Sequence, residues 1–177
     1  CVDSVDYEYV GSAGGMTKTI DYYNQNAATF FESTANVDMT ALYQRFLALL
    51  PEKGRILDAG CGSGRDAKAF KQMGYDVDAF DASQELAQRA SGFAGVAVDV
   101  LSFLEFERPQ TYDGIWACAS LLHLPECEIT NALTRLWNSL KDSGTLYLSF
   151  KLGQGERNKD GRHFTDLTDP TLRALLT

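Results

Sequence analysis

Basic residues are scarce in this chain of 177: Lys and Arg number 16 against 24 Asp and Glu, a formal net charge of −8. That deficit argues against holding nucleic acid or an anionic membrane through general charge, since either needs an excess of Lys and Arg. A local basic pocket stays open. No apolar run approaches the ~20 residues that a bilayer-spanning helix takes, and no basic-then-apolar signal peptide opens the chain. Cysteine is sparse, at Cys1, Cys61, Cys118 and Cys127, with no C-x-x-C pair, and there are two histidines; a metal site is not expected from so few donors. Internal repeats are also lacking. Together these absences predict a cytoplasmic protein with reduced thiols. What is present is 45% hydrophobic and 23% charged residues, enough for one globular domain with a substantial core.

The ends stand apart. Gly11-Ser12-Ala13-Gly14-Gly15 reads as a flexible linker with Met16 directly after it, so residues 1–15 are expected to be a tag, linker or disordered arm and 16–177 the domain. The chain ends at Leu175-Leu176-Thr177, inside a helical pattern.

Between the ends the chain alternates. Asp38 caps a helix expected over 39–50. Short apolar strands follow at 55–58, 77–80, 96–98, 112–117 and 146–150. Helical patterns at 66–73, from Ser83 to about residue 89, and from Pro125 separate them. Ile129, Leu133, Leu136, Trp137 and Leu140 share one face of the last of these, which Ser143-Gly144 is expected to end. A charged loop follows, and Asp169-Pro170 opens a final helix. Strand and helix in turn predict an α/β fold: a Rossmann-like, doubly wound, mainly parallel sheet with helices on both faces. Such sheets bind ligands beyond the carboxyl ends of their strands.

The densest signal is Leu57-Asp58-Ala59-Gly60-Cys61-Gly62-Ser63-Gly64-Arg65-Asp66. Alternating glycines let the backbone turn tightly and approach a ligand closely. The helix after them presents N–H groups suited to the carboxylate and ribose side of a small zwitterion. Asp81, 17 residues after Gly64, closes the second strand, where a carboxylate can accept from both hydroxyls of an unphosphorylated ribose. Asp99 closes the third, where an acceptor can meet an adenine amino group. A plain glycine turn with turn-forming aspartates is the bland alternative. Nicotinamide dinucleotide binding is the sharper one, because Gly62-x-Gly64-x-x-Ala67 satisfies G-x-G-x-x-A. Against it, Asp58 would set its charge toward an incoming pyrophosphate.

These segments resemble class I S-adenosylmethionine-dependent methyltransferases. Leu57–Gly64 is similar to their first motif, Phe80-Asp81-Ala82-Ser83 to the second and Asp99 to the third. Tyr112–Ala117 and Ser120-Leu121-Leu122-His123-Leu124 are similar to the fourth strand and its exit, and Leu140–Gly144 to the turn into the fifth. The finer likeness is to small bacterial tellurite-resistance-type enzymes, carried by Gly64-Arg65-Asp66, Ala117–His123, Ser149-Phe150-Lys151 and Gly161-Arg162-x-Phe164. The resemblance implies S-adenosylmethionine as cofactor, with S-adenosylhomocysteine as product. It implies that Asp58, Gly60 and Gly62 line the methionine end, and that Tyr22 or Tyr23 helps cover the cofactor. Tyr23, Cys61, Arg65, Asp81, Ala82, Ser83, Asp99, Val100, Cys118 and Ala119 are expected along the rest of it. The family fold ends in an antiparallel pair of strands that this chain is expected to lack, which would leave a sheet edge open to dimers.

Methyl transfer needs mainly alignment of acceptor, methyl and sulfur, worth up to ~7–11 kcal/mol. A base is needed only where the acceptor must lose a proton. His123 is the leading base candidate, with a packed, satisfied histidine as the alternative. Lys151, Arg157, Arg162 and His163 form a basic group that draws an anionic small-molecule acceptor or simply lies solvated. Lys151 and Arg162 are its expected catalytic members. Cys118 is either a ligand contact or a small core residue, Trp116 and Trp137 are expected in the core, and Tyr22, Tyr23, Phe30 and Phe31 form a lid or a docked helix. A non-catalytic cofactor-binding module is the alternative function, and a monomer or homodimer is expected.

Overall fold

The computed structural model describes residues 13–176. The expected linker lies mostly outside them, but its last three residues already belong to the first helix, α1 (Ala13–Thr34). Asn26 breaks this helix, with φ −111° and ψ 15°, and its side-chain amide donates to the Tyr22 carbonyl at 2.8 Å. The break separates Tyr22 and Tyr23 from Phe30 and Phe31. Helix α2 (Thr40–Leu47) follows a turn in which the Asp38 carboxylate accepts the Thr40 N–H at 2.9 Å. It stops three residues short of the expected end.

Then come β1 (Arg55–Ala59), α3 (Arg65–Gln72), β2 (Asp76–Asp81), α4 (Gln84–Ala94), β3 (Val98–Val100), β4 (Tyr112–Ala117), α5 (Glu126–Ser139) and β5 (Leu140–Leu148). The five strands form one sheet in the order β3-β2-β1-β4-β5, and every neighbouring pair is parallel. Successive side chains on a strand leave opposite faces, and both faces are covered. Leu57, Phe80 and Ile115 meet Ile129, Leu133 and Leu136 of α5 on one side. Their neighbours Ile56, Ala79 and Trp116 meet Phe46 of α2, Phe70 of α3 and Ala90 of α4 on the other. This is the doubly wound architecture expected, and it explains why the strands read as continuous apolar runs. Burying one such side chain fully is worth about 1.5–3 kcal/mol.

Four local readings need correction. Ser83 does cap α4, its hydroxyl accepting from the Leu86 N–H, but that helix continues to Ala94, where Gly95 closes it at φ +68°. Strand β3 therefore starts two residues later than expected. Helix α5 ends at Ser139, and Leu140 is already paired with Tyr112 in β5; Ser143 and Gly144 lie within β5, beside the register shift between Tyr112 and Gly114. Trp137 is 65% exposed, whereas Trp116 is fully buried. Trp137 follows Leu136 by one residue, about 100° around the helix, and so falls off the apolar face. The charged segment after β5 is no loop: β6 (Gly155–Lys159) and β7 (Arg162–Asp166) pair as an antiparallel hairpin outside the main sheet. Gly161, at φ +78°, supplies its tight turn. Helix α6 (Asp169–Leu175) is capped by Thr168.

From β1 the chain passes to β2 on one side and later returns to β4 on the other. The sheet order reverses between β1 and β4, so the crevice of such a fold opens above Gly60 and Cys118.

Candidate active site

Beyond β1, Gly60, Gly62 and Gly64 take φ of +72°, +54° and +75°, left-handed values that side-chain-bearing residues disfavour. A Cβ at Gly60 would lie 2.6 Å from the Ser120 Cβ, and one at Gly64 would lie 2.9 Å from the Ala90 Cβ. The loop's own donors are engaged. The N–H groups of Gly60 and Cys61 both reach the Phe80 carbonyl, at 2.9 and 3.0 Å, and that of Gly64 reaches the Cys61 carbonyl. The loop thus contributes shape and close approach more than free donors.

The three expected carboxylates do not share one crevice. Asp81 faces it. One carboxylate oxygen accepts the Gly62 N–H at 2.8 Å and the other accepts the Ser83 N–H at 2.9 Å. Burial pushes its carboxyl up, and these two backbone donors pull it back. Asp58 lies beneath the loop, 1% exposed, and accepts the Ala67 N–H at the start of α3 at 2.9 Å. Burial raises its carboxyl well above the usual range, and the nearby Asp66 charge adds to this. Asp58 therefore does not set its charge toward an incoming pyrophosphate. Asp99 is ion-paired with Arg108, and neither it nor Val100 lines the cavity. Because β3 starts late, Asp99 is mid-strand, level with Phe80. The residues that reach the cavity here are Leu101, Ser102 and Phe103, in the segment that follows this strand.

Helix α1 and the hairpin complete the walls. Asn24 of α1 accepts from the Ser83 hydroxyl at 2.7 Å, and the Thr19 hydroxyl accepts the His163 N–H at 2.9 Å. Tyr23 packs edge-on against Phe30 and against His123. The Tyr23 hydroxyl is 2.8 Å from His123 Nε2, and His123 Nδ1 is 2.7 Å from the His163 carbonyl oxygen. Burial is the main cause that lowers His123 to about 4. Both His123 nitrogens are thus engaged, as the packed, satisfied alternative expects, and the ring also lines the cavity. The basic group also divides. Lys151 and Arg162 line the cavity, with Lys151 Nζ 4.3 Å from the Phe164 ring centre and the Arg162 guanidinium 4.6 Å from that of Tyr22. Arg157 is held by Asp166, and the His163 ring points to Thr165 in the interior. The Arg162 Nε is buried without a hydrogen-bond partner.

These walls enclose a cavity of about 460 Å³, within the ~300–1,000 Å³ of small-ligand sites. Of the expected site residues, it is lined by Tyr23, Gly60, Cys61, Gly62, Arg65, Asp81, Ala82, Ser83, Cys118, Ala119, His123, Lys151 and Arg162. Burial pushes the Cys61 and Cys118 thiols up, so neither is a ready thiolate. Asp66 was missed. It lines the cavity while accepting from Arg65 at 2.6 and 2.9 Å, from the Trp116 indole at 2.9 Å and from the Tyr43 hydroxyl. An acid opening a helix directly after a glycine loop was its available signal. Phe164 also walls the cavity, because the segment expected to be a loop is the hairpin that carries it there. Among the described residues, no group of three or more His, Cys, Asp or Glu is placed to share a metal ion, and no helix is long and apolar enough to cross a membrane.

A five-stranded parallel sheet with a glycine loop at its switch point and a carboxylate at the end of the neighbouring strand β2 defines a Rossmann-like ligand-binding protein. Residues 31–174 match the model of a family described as a methyltransferase domain, and the chain belongs to that family. An uncharacterized methyltransferase of Staphylococcus carnosus is 26% identical, over 60% of this chain and 52% of its own length. The ubiquinone biosynthesis O-methyltransferase of Xanthomonas axonopodis pv. citri is 33% identical, over 57% of this chain and 44% of its own. The chain spans about half the length of the curated relatives it matches. Among solved structures, the 1,6-didemethyltoxoflavin-N1-methyltransferase of Burkholderia thailandensis, bound to 1,6-didemethyltoxoflavin and S-adenosylhomocysteine, superposes with a TM-score of 0.72 at 23% identity; the match covers 99% of this chain and 79% of that one. A DhpI–SAH complex gives 0.75 at 16% identity, covering 94% and 87%. Both show the shared fold. Neither named relative carries a tellurite-resistance name, and that finer branch rests on the sequence resemblance alone.

Proposed function

We propose that the cavity above the glycine loop binds S-adenosylmethionine and that the chain moves its methyl group to a small anionic acceptor. The observation that carries this reading is Asp81: a carboxylate at the cavity wall, fixed at both oxygens by backbone N–H groups beside a loop whose glycines permit close approach. Each carboxylate oxygen keeps a lone pair, so the pair can accept from two adjacent ribose hydroxyls. Gly60 and Gly62 leave room for the methionine end, and Leu101, Ser102 and Phe103 wall the side where the adenine would follow. The bound sulfonium supplies an already activated methyl group. The chain's part is to bind, align and exclude water. Tyr23, with the rest of α1, closes the cavity, and Lys151 and Arg162 set positive charge at its hairpin side. The acceptor enters from that side, where a carboxylate or oxyanion gains most in a partly desolvated site.

Calorimetry tests the binding. S-adenosylhomocysteine is expected to bind and NAD to give no heat. In Asp81→Asn, an amide nitrogen must face one of the two backbone N–H groups, and affinity is expected to fall at least about 10-fold, roughly 1.4 kcal/mol. A folded protein that ignores S-adenosylhomocysteine would end this reading. Binding without transfer of labelled methyl to any carboxylate acceptor would reduce it to a cofactor-binding module.

A further inference from the structure

The pair of hydrogen bonds through His123 has a direction that the geometry determines. The His163 carbonyl has no proton to give, so His123 Nδ1, 2.7 Å away, must carry one. The cavity-side nitrogen of the neutral ring is then a bare lone pair. Tyr23, 2.8 Å from that nitrogen, must therefore donate its hydroxyl proton to it. A phenol has one O–H, and with that proton engaged its oxygen has only lone pairs to offer. Arg162 lies close enough that its hydrogen bond and charge oppose the effect of burial on the Tyr23 phenol, and it can take one of them. The arrangement is locked from behind. The His163 N–H is held by Thr19 at 2.9 Å, and the His163 ring is turned toward Thr165. Nothing there can reverse the direction.

We propose that Tyr23 is a specificity-determining residue, offering the methyl acceptor a lone pair and no proton, and so selecting an anionic acceptor whose nucleophilic atom carries its own N–H or O–H. This rests on the methyl-transfer reading above. An acceptor that lacks such a proton spends its lone pair on the methyl carbon and leaves the Tyr23 oxygen facing a group with nothing to donate. One that has it donates. As its atom bonds to the methyl carbon, the methyl–sulfur bond breaks, S-adenosylhomocysteine keeps that electron pair, and the acceptor atom gains positive charge. That charge strengthens this hydrogen bond and favours the transition state over the bound ground state; the acidified proton is then lost to water. His123 is a positioning residue that acts through Tyr23.

Two measurements on the full chain test this. With only two histidines, ¹⁵N labelling of both, assigned with His123→Gln, reads the ring state directly. The expected result at pH 7 is His123 protonated at Nδ1 and unprotonated at Nε2, with the Nε2 signal moving in Tyr23→Phe as its hydrogen bond is lost. A proton on Nε2, or a doubly protonated ring, overturns the proposal. The second is transfer of labelled methyl to size-matched carboxylates. Hydroxybenzoates and aminobenzoates carry the proton; dimethylaminobenzoates and pyridine carboxylates do not. Transfer is expected only to the first group, and Tyr23→Phe is expected to lower kcat at least 10-fold, a larger loss than in S-adenosylhomocysteine affinity. Equal transfer to both groups, transfer to neither by a protein that binds S-adenosylhomocysteine, or a kcat within twofold in Tyr23→Phe overturns it. Failure to bind S-adenosylhomocysteine, with His123 still protonated at Nδ1, instead defeats the methyl-transfer reading and leaves the hydrogen-bond direction intact.

Discussion

Acid should weaken this protein through His123, and the size of the effect follows from where that ring sits. In the fold, burial holds it near 4 against an ordinary 6.5. A histidine with a depressed folded value is protonated first in the unfolded chain, so its contribution is complete above about pH 6.5 and is lost as pH falls toward 4. The gap is worth about 3 kcal/mol in full at ~1.4 kcal/mol per unit, and about 2 kcal/mol of it is lost between pH 7.5 and 5. Asp58 and Asp81 act in the opposite sense, because burial raises both and acid favours their folded, protonated forms. A direct pH scan mixes these effects. The clean perturbation is His123→Gln, which removes the histidine and keeps the carboxylates. Urea unfolding of both proteins at pH 7.5 and pH 5 gives the difference in stability at each. The wild type should lose about 2 kcal/mol relative to the variant on acidification. A difference that stays constant within about 0.5 kcal/mol would mean that His123 is hydrated or already charged, and the reasoning from its buried hydrogen bonds would be wrong.

Two further outcomes follow from the site. Gly60→Ala sets a Cβ 2.6 Å from Ser120 on a backbone at φ +72°. A loss of about 1–3 kcal/mol in stability is expected by thermal unfolding, together with loss of S-adenosylhomocysteine binding. Lys151→Ala and Arg162→Ala should each raise KM for a carboxylate acceptor about 10-fold, on the scale of one charge-assisted hydrogen bond. Steady-state kinetics with unchanged KM in both would remove the anionic acceptor.

Elements were legible in the sequence where apolar residues recur with one clear period. The strands from Ile56 and Val77 and the face Ile129, Leu133, Leu136 fall where short apolar runs and helical spacing put them, because a strand covered on both faces buries successive residues and a helix buries one face. Boundaries were less legible. Asp99 shows why: a carboxylate near a strand end reads as a ligand contact, but β3 starts two residues late, which leaves Asp99 mid-strand, level with Phe80, where it pairs with Arg108. The β6–β7 hairpin was invisible because its residues are mostly polar and lack an apolar strand pattern. It is held by packing on the 121–124 turn and on α1, through bonds such as Thr165 to the Leu124 carbonyl and His163 to Thr19.

By itself the sequence determined the order of the main-sheet strands and the helices between them, the glycine loop, the acid at the end of β2 and the family they resemble, since each is written in residues close together along the chain. The tertiary structure decided which carboxylates face the cavity, which cations the hairpin turns inward and how the Tyr23–His123 bond points. Those outcomes depend on partners 9 to 144 residues apart, brought together only when both sheet faces are buried and each enclosed polar group must find a mate.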